Sequence, residues 1–338
     1  MKQADIKHFN IPVFIPERAC PNRCIYCNQP TITGVKELPG LQEISAIITT
    51  HLATIDNSNS HVEIAFFGGN FTGIPINEQE EYLKTACSYI EKGFVKGVRI
   101  STRPDYINDT VLELLKQYGV TTIELGVQSL DDEVLNASGR GYTSADVTKT
   151  AHLIRAAGFS LGLQMMQGLP ADTIEKSIQT AERIIRLGAS NTRIYPVLVI
   201  KDTVLEDLYN SGTYTPLGLN EAVKWSKELC KIFIEARVNV LKIGLHPSHE
   251  LMTDGNIIAG PFHQSYAELV YTELWSDLLN SMRFKAADHI TIYTHPHDYN
   301  HAIGYGGKNK KALLKKFKTV KFRTNNALAR YTFHVDYC

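Results

Sequence analysis

Short β-branched runs alternate with longer amphipathic stretches along most of this chain, and that alternation restricts the fold more than any other feature. Residues 12–15, 62–67, 98–102, 121–127, 160–166, 193–199 and 238–243 read as strands. Between them, residues 41–55, 77–92, 108–118, 144–157, 172–187 and 220–236 repeat apolar positions at helical spacing. Ser144 followed by Asp146 offers an N-cap, and Gly119, Gly158 and Gly188 stand where helices should end. Six or seven strand–helix units in series dictate a parallel sheet with right-handed crossovers, either a barrel or a doubly wound sheet. Several strands are nearly continuous apolar runs, which suits strands covered on both faces. Polar residues gather at the strands' C-terminal ends, where such sheets place their sites.

A length of 338 residues allows about two domains. No apolar run reaches the roughly 18 residues of a membrane span, and residues 1–15 lack a small-residue cleavage site. The expectation is a cytoplasmic chain without membrane attachment. Its 35 basic and 35 acidic residues cancel, but unevenly. Residues 301–338 carry nine Lys and Arg against the single acid Asp336, a net +8, so the preceding 300 residues carry −8. A basic end on an acidic body hints at a polyanionic partner.

Three of the six cysteines, Cys20, Cys24 and Cys27, fall in the string Cys-Pro-Asn-Arg-Cys-Ile-Tyr-Cys just after the first strand. Cys87 and Cys230 lie in helical patterns and read as inert buried thiols, while Cys338 stands alone. A structural zinc site is closed by four ligands, so zinc here needs a remote fourth, such as His246 or Cys230. A Cys24–Cys27 redox pair is a further alternative. A four-iron cluster has four corners, and three thiolates leave one iron open to a non-protein ligand.

The C-x3-C-x2-C string resembles the signature of the radical SAM superfamily. That resemblance implies a [4Fe-4S] cluster held by Cys20, Cys24 and Cys27 on a partial (β/α)6 TIM-type barrel. Its open iron would take S-adenosylmethionine (SAM), and an electron from a donor such as flavodoxin or ferredoxin would yield a 5′-deoxyadenosyl radical. The same resemblance places Tyr26 beside the cluster and Gly68, Gly69 and Asn70 after the second strand. Ser101 and Arg103 end the third strand. Gln128, Arg140 and Gln164 fall near the SAM ribose and carboxylate, and Tyr195 on the sixth strand is a catalytic candidate. The strings Thr-Arg-Pro-Asp, Glu-Leu-Gly-Val-Gln-Ser, Gly-Leu-Pro and Ile-Tyr-Pro are similar to the radical SAM domain of the Elongator catalytic subunit, which acts on a tRNA wobble uridine. Too few residues follow the barrel for the acetyltransferase domain of those members. Coproporphyrinogen oxidases share Gly-Val-Gln-Ser and Gly-Leu-Pro, which keeps a tetrapyrrole-like small molecule as an alternative substrate.

Residues 1–245 thus form the expected barrel and 246–286 a connector with a helix at 264–281. His246, His249 and Glu250 of the connector follow the last barrel strand and could position substrate or move a proton. Residues 287–338 read as strand, helix, Gly304-Tyr-Gly-Gly, helix, strand and strand. This order resembles a minimal α+β KH fold, whose G-x-x-G loop clamps single-stranded RNA. It implies RNA contacts from Gly304, Gly306, Gly307, Lys308, Lys310 and Lys311; the plainer alternative is a solvated lysine-rich helix after a glycine turn. The combined expectation is a radical SAM enzyme acting on RNA, with tRNA as partner. A non-catalytic zinc RNA-binding protein is the other class in play.

Overall fold

A computed structural model describes residues 7–16, 24–35, 37–56, 59–245, 248–253 and 255–337. Seven strands form one parallel sheet: β1 (Lys7–Ile15), β2 (Ser60–Gly68), β3 (Gly97–Thr102), β4 (Val120–Gln128), β5 (Ser160–Gln167), β6 (Asn191–Pro196), and, after the two-residue β7 (Val199–Ile200), β8 (Asn239–Ile243). Their spatial order, β1-β2-β3-β4-β5-β6-β8, follows the sequence, and the sheet curls into a half-barrel. β8 adds a seventh strand to the six that a (β/α)6 core implies. The sixth sequence run, 193–199, splits at residue 196, because β7 leaves the sheet to pair antiparallel with β9 (Ile257–Ala259).

One face of the half-barrel is apolar and lies under the helices. Ile11, Val13, Ile64, Phe66, Val98, Ile100, Ile123, Leu125, Leu161, Leu163 and Ile194 all join the main core. The other face, one residue out of step on each strand, carries Glu63, Arg99, Glu124 and Arg193. The inner face differs from the outer one in setting these charges among apolar residues such as Pro12, Phe14, Phe67 and Met166.

Helix starts follow local chemistry. In helix Ser144–Ala156 the cap is Thr143, whose hydroxyl accepts from the Asp146 N–H while the Asp146 carboxylate accepts from the Thr143 N–H. Ser144 is thus the first helical residue rather than the cap, since the capping box needs Asp146 three places on. Helix Ile174–Arg186 ends before Gly188, which has φ +77° and whose missing Cβ would collide with the Arg155 guanidinium at 2.6 Å.

A second core joins helix Tyr266–Ser281 to helix Leu219–Glu235 and to a three-stranded sheet. That sheet, ordered β11 (Thr319–Thr324), β10 (His289–Thr294), β12 (Phe333–Tyr337), pairs β10 with β11 in parallel and with β12 antiparallel. Trp275, fully buried, sits among Ile290, Ile292, Val320 and Val335. Residues on both sides of position 287 share this core. Among the described residues no helix is long and apolar enough to cross a membrane.

Candidate active site

A cavity of about 470 Å³ opens along the inner, charge-bearing face of the half-barrel. Cys24 and Cys27 stand on its wall together with Tyr26, Gly68, Gly69, Ser101, Arg103, Gln128, Arg140, Gln164 and Tyr195, so ten side chains or glycines that the sequence singled out, from seven loops and strands, converge there with Cys24. Cys20 lies outside the described residues. The Cys27 N–H donates to the Cys24 carbonyl at 3.0 Å, which closes a turn between the two cysteines.

Arg140 organises the corner nearest the cysteines. Its Nη1 donates to Cys24 Sγ at 2.9 Å and to the Tyr26 hydroxyl at 3.2 Å. Its Nη2 donates to the Gly126 carbonyl at 2.6 Å, and its Nε to the Tyr142 hydroxyl at 2.8 Å. Arg103 packs over the same Tyr142 ring, forks onto Asp105 at 2.8 and 2.9 Å, and donates to the Arg140 carbonyl at 2.8 Å. Burial pushes the Tyr26 phenol well above the ordinary tyrosine value, with Arg140 opposing only in part, so this hydroxyl stays protonated. The result is a cationic corner around Cys24 Sγ, where among the described residues the sulfur meets a guanidinium and no carboxylate; Asp105 is bound to Arg103.

Gln128 and Gln164 face each other at the ends of β4 and β5. The Gln164 amide donates to Gln128 Oε1 at 2.8 Å, and the Gln128 amide donates back at 3.2 Å. Gln128 sits at φ +64°, beside a register break in the β4–β5 ladder. Strained backbone of this kind persists where the surroundings hold it, and it gathers at functional sites. Gly126 keeps the floor between these amides and Arg140 open. A Cβ there would lie 2.9 Å from Gln128 Nε2.

Below this level runs a charged chain that sequence reasoning missed. Arg99 bridges Glu63 at 3.0 Å and Glu124 at 2.7 Å, and Arg193 reaches the other oxygen of Glu124 at 2.6 Å. Burial works against the Glu124 charge, but Arg193 and then Arg99 outweigh it and hold the carboxyl below its ordinary value. Glycine at position 162 makes room for this chain, since a Cβ there would lie 2.8 Å from the Glu124 side chain. The available signal was a charge at the same phase in four of the five strands from β2 to β6, with Gly162 at that place on β5.

Other sequence candidates lie elsewhere. Asn70 is buried, and its Oδ1 accepts from the Thr102 hydroxyl at 2.6 Å and the Arg103 N–H at 3.3 Å, tying the ends of β2 and β3 rather than lining the cavity. His249 is 98% exposed and sits 3.6 Å from the Glu250 carboxylate. Both belong to the short helix His249–Met252, whose turn sends Ser248, not His249 or Glu250, to the cavity wall. His246 lies outside the described residues. Gly304, Gly306 and Gly307 occur between helices Tyr299–Ile303 and Lys308–Leu313 as expected. The Tyr305 N–H donates to the Thr272 hydroxyl at 2.7 Å, which docks this loop on helix Tyr266–Ser281. Lys308 is ion-paired with Glu273, whereas Lys310 and Lys311 are exposed.

The residues present fit a cluster and SAM on the donor set itself. A thiol faces a buried guanidinium, glycines leave an open floor, and paired amides offer donors and acceptors to hydroxyl groups. The fold and the site together define the class of protein. The chain belongs to the radical SAM superfamily, whose family model matches residues 14–184, and a Radical_SAM C-terminal domain model matches residues 189–276. It is therefore an enzyme, and the non-catalytic zinc reading falls away.

Among its relatives is the tRNA uridine(34) acetyltransferase of Dehalococcoides mccartyi (strain CBDB1), 26% identical over 231 residues, which cover 58% of this chain and 50% of that protein. Elongator complex protein 3 of Saccharomyces cerevisiae is 30% identical over 192 residues, 51% of this chain and 34% of that one. The chain spans half or less of the length of these curated relatives. A solved structure of archaeal Methanocaldococcus infernus Elp3, lacking its N-terminus, superposes with a TM-score of 0.63 at 20% identity, covering 80% of this chain and 63% of that one. That likeness shows a shared fold.

Proposed function

We propose that the chain holds a [4Fe-4S] cluster on Cys20, Cys24 and Cys27, binds SAM in the adjoining cavity, and modifies an RNA, with tRNA as the substrate. The observation that carries this reading is the 2.9 Å donation from Arg140 to Cys24 Sγ inside a cavity walled by Gly68, Gly69, Gln128 and Gln164. When bound, the cluster and SAM supply one-electron reductive cleavage of a sulfonium to a 5′-deoxyadenosyl radical.

The chain's own residues then do three things. Arg140 and Arg103 set positive charge against the sulfur side, where charge-assisted donation to sulfur is strongest. Gln128 and Gln164, preorganised by their mutual hydrogen bonds, present amides for ribose hydroxyls without having to reorient. Tyr26 and Tyr195, both neutral through burial, close the wall with aromatic surface that keeps water from the reacting carbon. A flavodoxin or ferredoxin serves as electron donor in this scheme.

RNA enters the reading through the basic end and through relatives named for tRNA uridine 34. The exposed Gly306 turn followed by Lys310 and Lys311 suits a KH-like clamp on a phosphate backbone. Mass spectrometry of nucleosides from cells with and without the protein tests the substrate. A modified nucleoside lost on deletion should return with the wild-type chain and not with Cys24→Ala. An unchanged nucleoside profile would remove RNA from the proposal.

A further inference from the structure

Among the described residues, two cations on the cavity wall have no carboxylate partner: Arg140, whose guanidinium is taken up by Cys24, Tyr26, Tyr142 and the Gly126 carbonyl, and Lys242. In the chain from Glu63 through Arg99 and Glu124 to Arg193, every guanidinium meets a carboxylate and every carboxylate a guanidinium. Two negative and two positive charges make that chain neutral. Lys242 stands beside it on β8, in register with Arg193, and lines the same cavity. Among the described residues no carboxylate forms an ion pair with Lys242; the acids that line the cavity reduce to Glu124, which both arginines already occupy. Arg193 is further fixed by stacking over the Phe67 ring at 4.7 Å. Burial, and then the charge of Arg193, lower the affinity of the Lys242 amine for its proton. A half-buried ammonium next to a second cation is unfavourable unless an anion joins it.

Position says where along the cavity that anion sits. Gly126, Gln164, Arg193 and Lys242 lie at one level on β4, β5, β6 and β8. Strands are spaced at about 4.8 Å, so Lys242 is roughly 14 Å along the sheet from Gly126 and its Arg140 neighbour. The cysteine corner and the Gln128–Gln164 pair lie toward one end of the cavity and the lysine toward the other. A molecule spanning that interval would place its middle atoms between the two.

We propose that Lys242 anchors an oxyanion, a carboxylate or a phosphate, carried by the molecule that reacts in this cavity. The inference rests on the cavity being the reaction site, and its test is independent of radical chemistry. Reductive methylation with ¹³C-formaldehyde gives each lysine of the whole protein an NMR signal. The signal missing from Lys242→Gln, or from Lys242→Arg should the glutamine variant not fold, belongs to Lys242.

Acetate and orthophosphate are then titrated against the wild type, with sodium chloride at matched ionic strength as control and exposed Lys310 as internal reference. The Lys242 signal should shift saturably, half-saturating at a concentration about tenfold lower than at Lys310, as a charge-assisted site in a cavity allows. The stronger of the two anions identifies the source as a carboxylate or a phosphate. A Lys242 response to neither anion, or one equal to that of chloride, would overturn the proposal. So would saturation by SAM without any effect of 5′-methylthioadenosine, which lacks the carboxylate, because Lys242 would then serve the cofactor. Formation of 5′-deoxyadenosine, measured separately, reports on the reaction site and leaves these outcomes distinguishable.

Discussion

The half-barrel and the C-terminal sheet treat positive charge in opposite ways. Inside the half-barrel Arg99, Arg103, Arg140 and Arg193 are largely withdrawn from water, and each is fixed by several short contacts. At the C-terminal end Lys310, Lys311, Lys315, Lys316, Lys321 and Arg323 are exposed. Buried guanidinium groups define positions to a fraction of an ångström, as cleavage of one bond in a bound molecule requires. Exposed lysines make a field that can follow an extended polyanion without fixing it. The contrast explains why arginine fills one region and lysine the other: a planar fork suits fixed partners and a mobile ammonium suits phosphates.

The sharpest way to break this contrast is to remove one buried partner. Glu124→Gln leaves Arg193 and half of Arg99 without their carboxylate, and should lower unfolding free energy by about 3–5 kcal/mol. Urea denaturation measures it; a change below about 1 kcal/mol would mean that water already shares the chain.

A buried carboxylate without a guanidinium provides the comparison's control. Asp172 Oδ2 accepts from the Gly168 N–H at 2.8 Å and the Ser177 hydroxyl at 2.9 Å, while its buried Oδ1 has no partner. Burial pushes its pKa up from 3.8 to about 6. Between those values the folded chain binds more protons than the unfolded one, so this group's contribution is full below pH 3.8 and is lost as pH rises through 6. The two-unit shift corresponds to about 3 kcal/mol at most. Asp172→Asn should flatten stability against pH across that window, and an unchanged slope would assign it to another group.

Arg140→Met, which keeps the volume and removes the donors, should cut cluster retention by about 10–100-fold, the range expected when a partner of a metal ligand is lost. Arg140→Lys should recover little of it, because one ammonium cannot reach Cys24, Gly126 and Tyr142 together. Iron content after gel filtration reads both. The smallest effect belongs to the surface. Lys310→Ala should weaken binding of a tRNA transcript only a few-fold and reduce the salt slope by about one, while leaving stability unchanged. A loss of all binding would show that this lysine is a fixed contact, and the two regions would then be alike.

The repeating elements were legible because their signals are local. Strands and helices fall within a few residues of the runs and periodicities that mark them, and Gly-x-x-Gly sits between two helices as the order of elements implied. The shift from Ser144 to Thr143 as cap arose because neighbouring residues can both cap, and only the distance to Asp146 separates them. Short helix Asp132–Ala137 was missed because six residues carry too little periodicity. The charged chain was not legible for another reason. Its partners lie 25, 36 and 69 residues apart, and only the strand register decides that they meet. Asn70 likewise looked like a site residue from its place after two glycines, while its oxygen is taken by Thr102 and Arg103.

Iron and sulfide at the amino-terminal cysteines are what the proposed radical chemistry needs first. Anaerobic reconstitution with iron and sulfide, followed by metal and acid-labile sulfide analysis, tests it directly. About four irons and four sulfides per chain, with 5′-deoxyadenosine formed from SAM under dithionite, are the predicted result. One tightly held zinc, without labile sulfide and without cleavage of SAM, would contradict it.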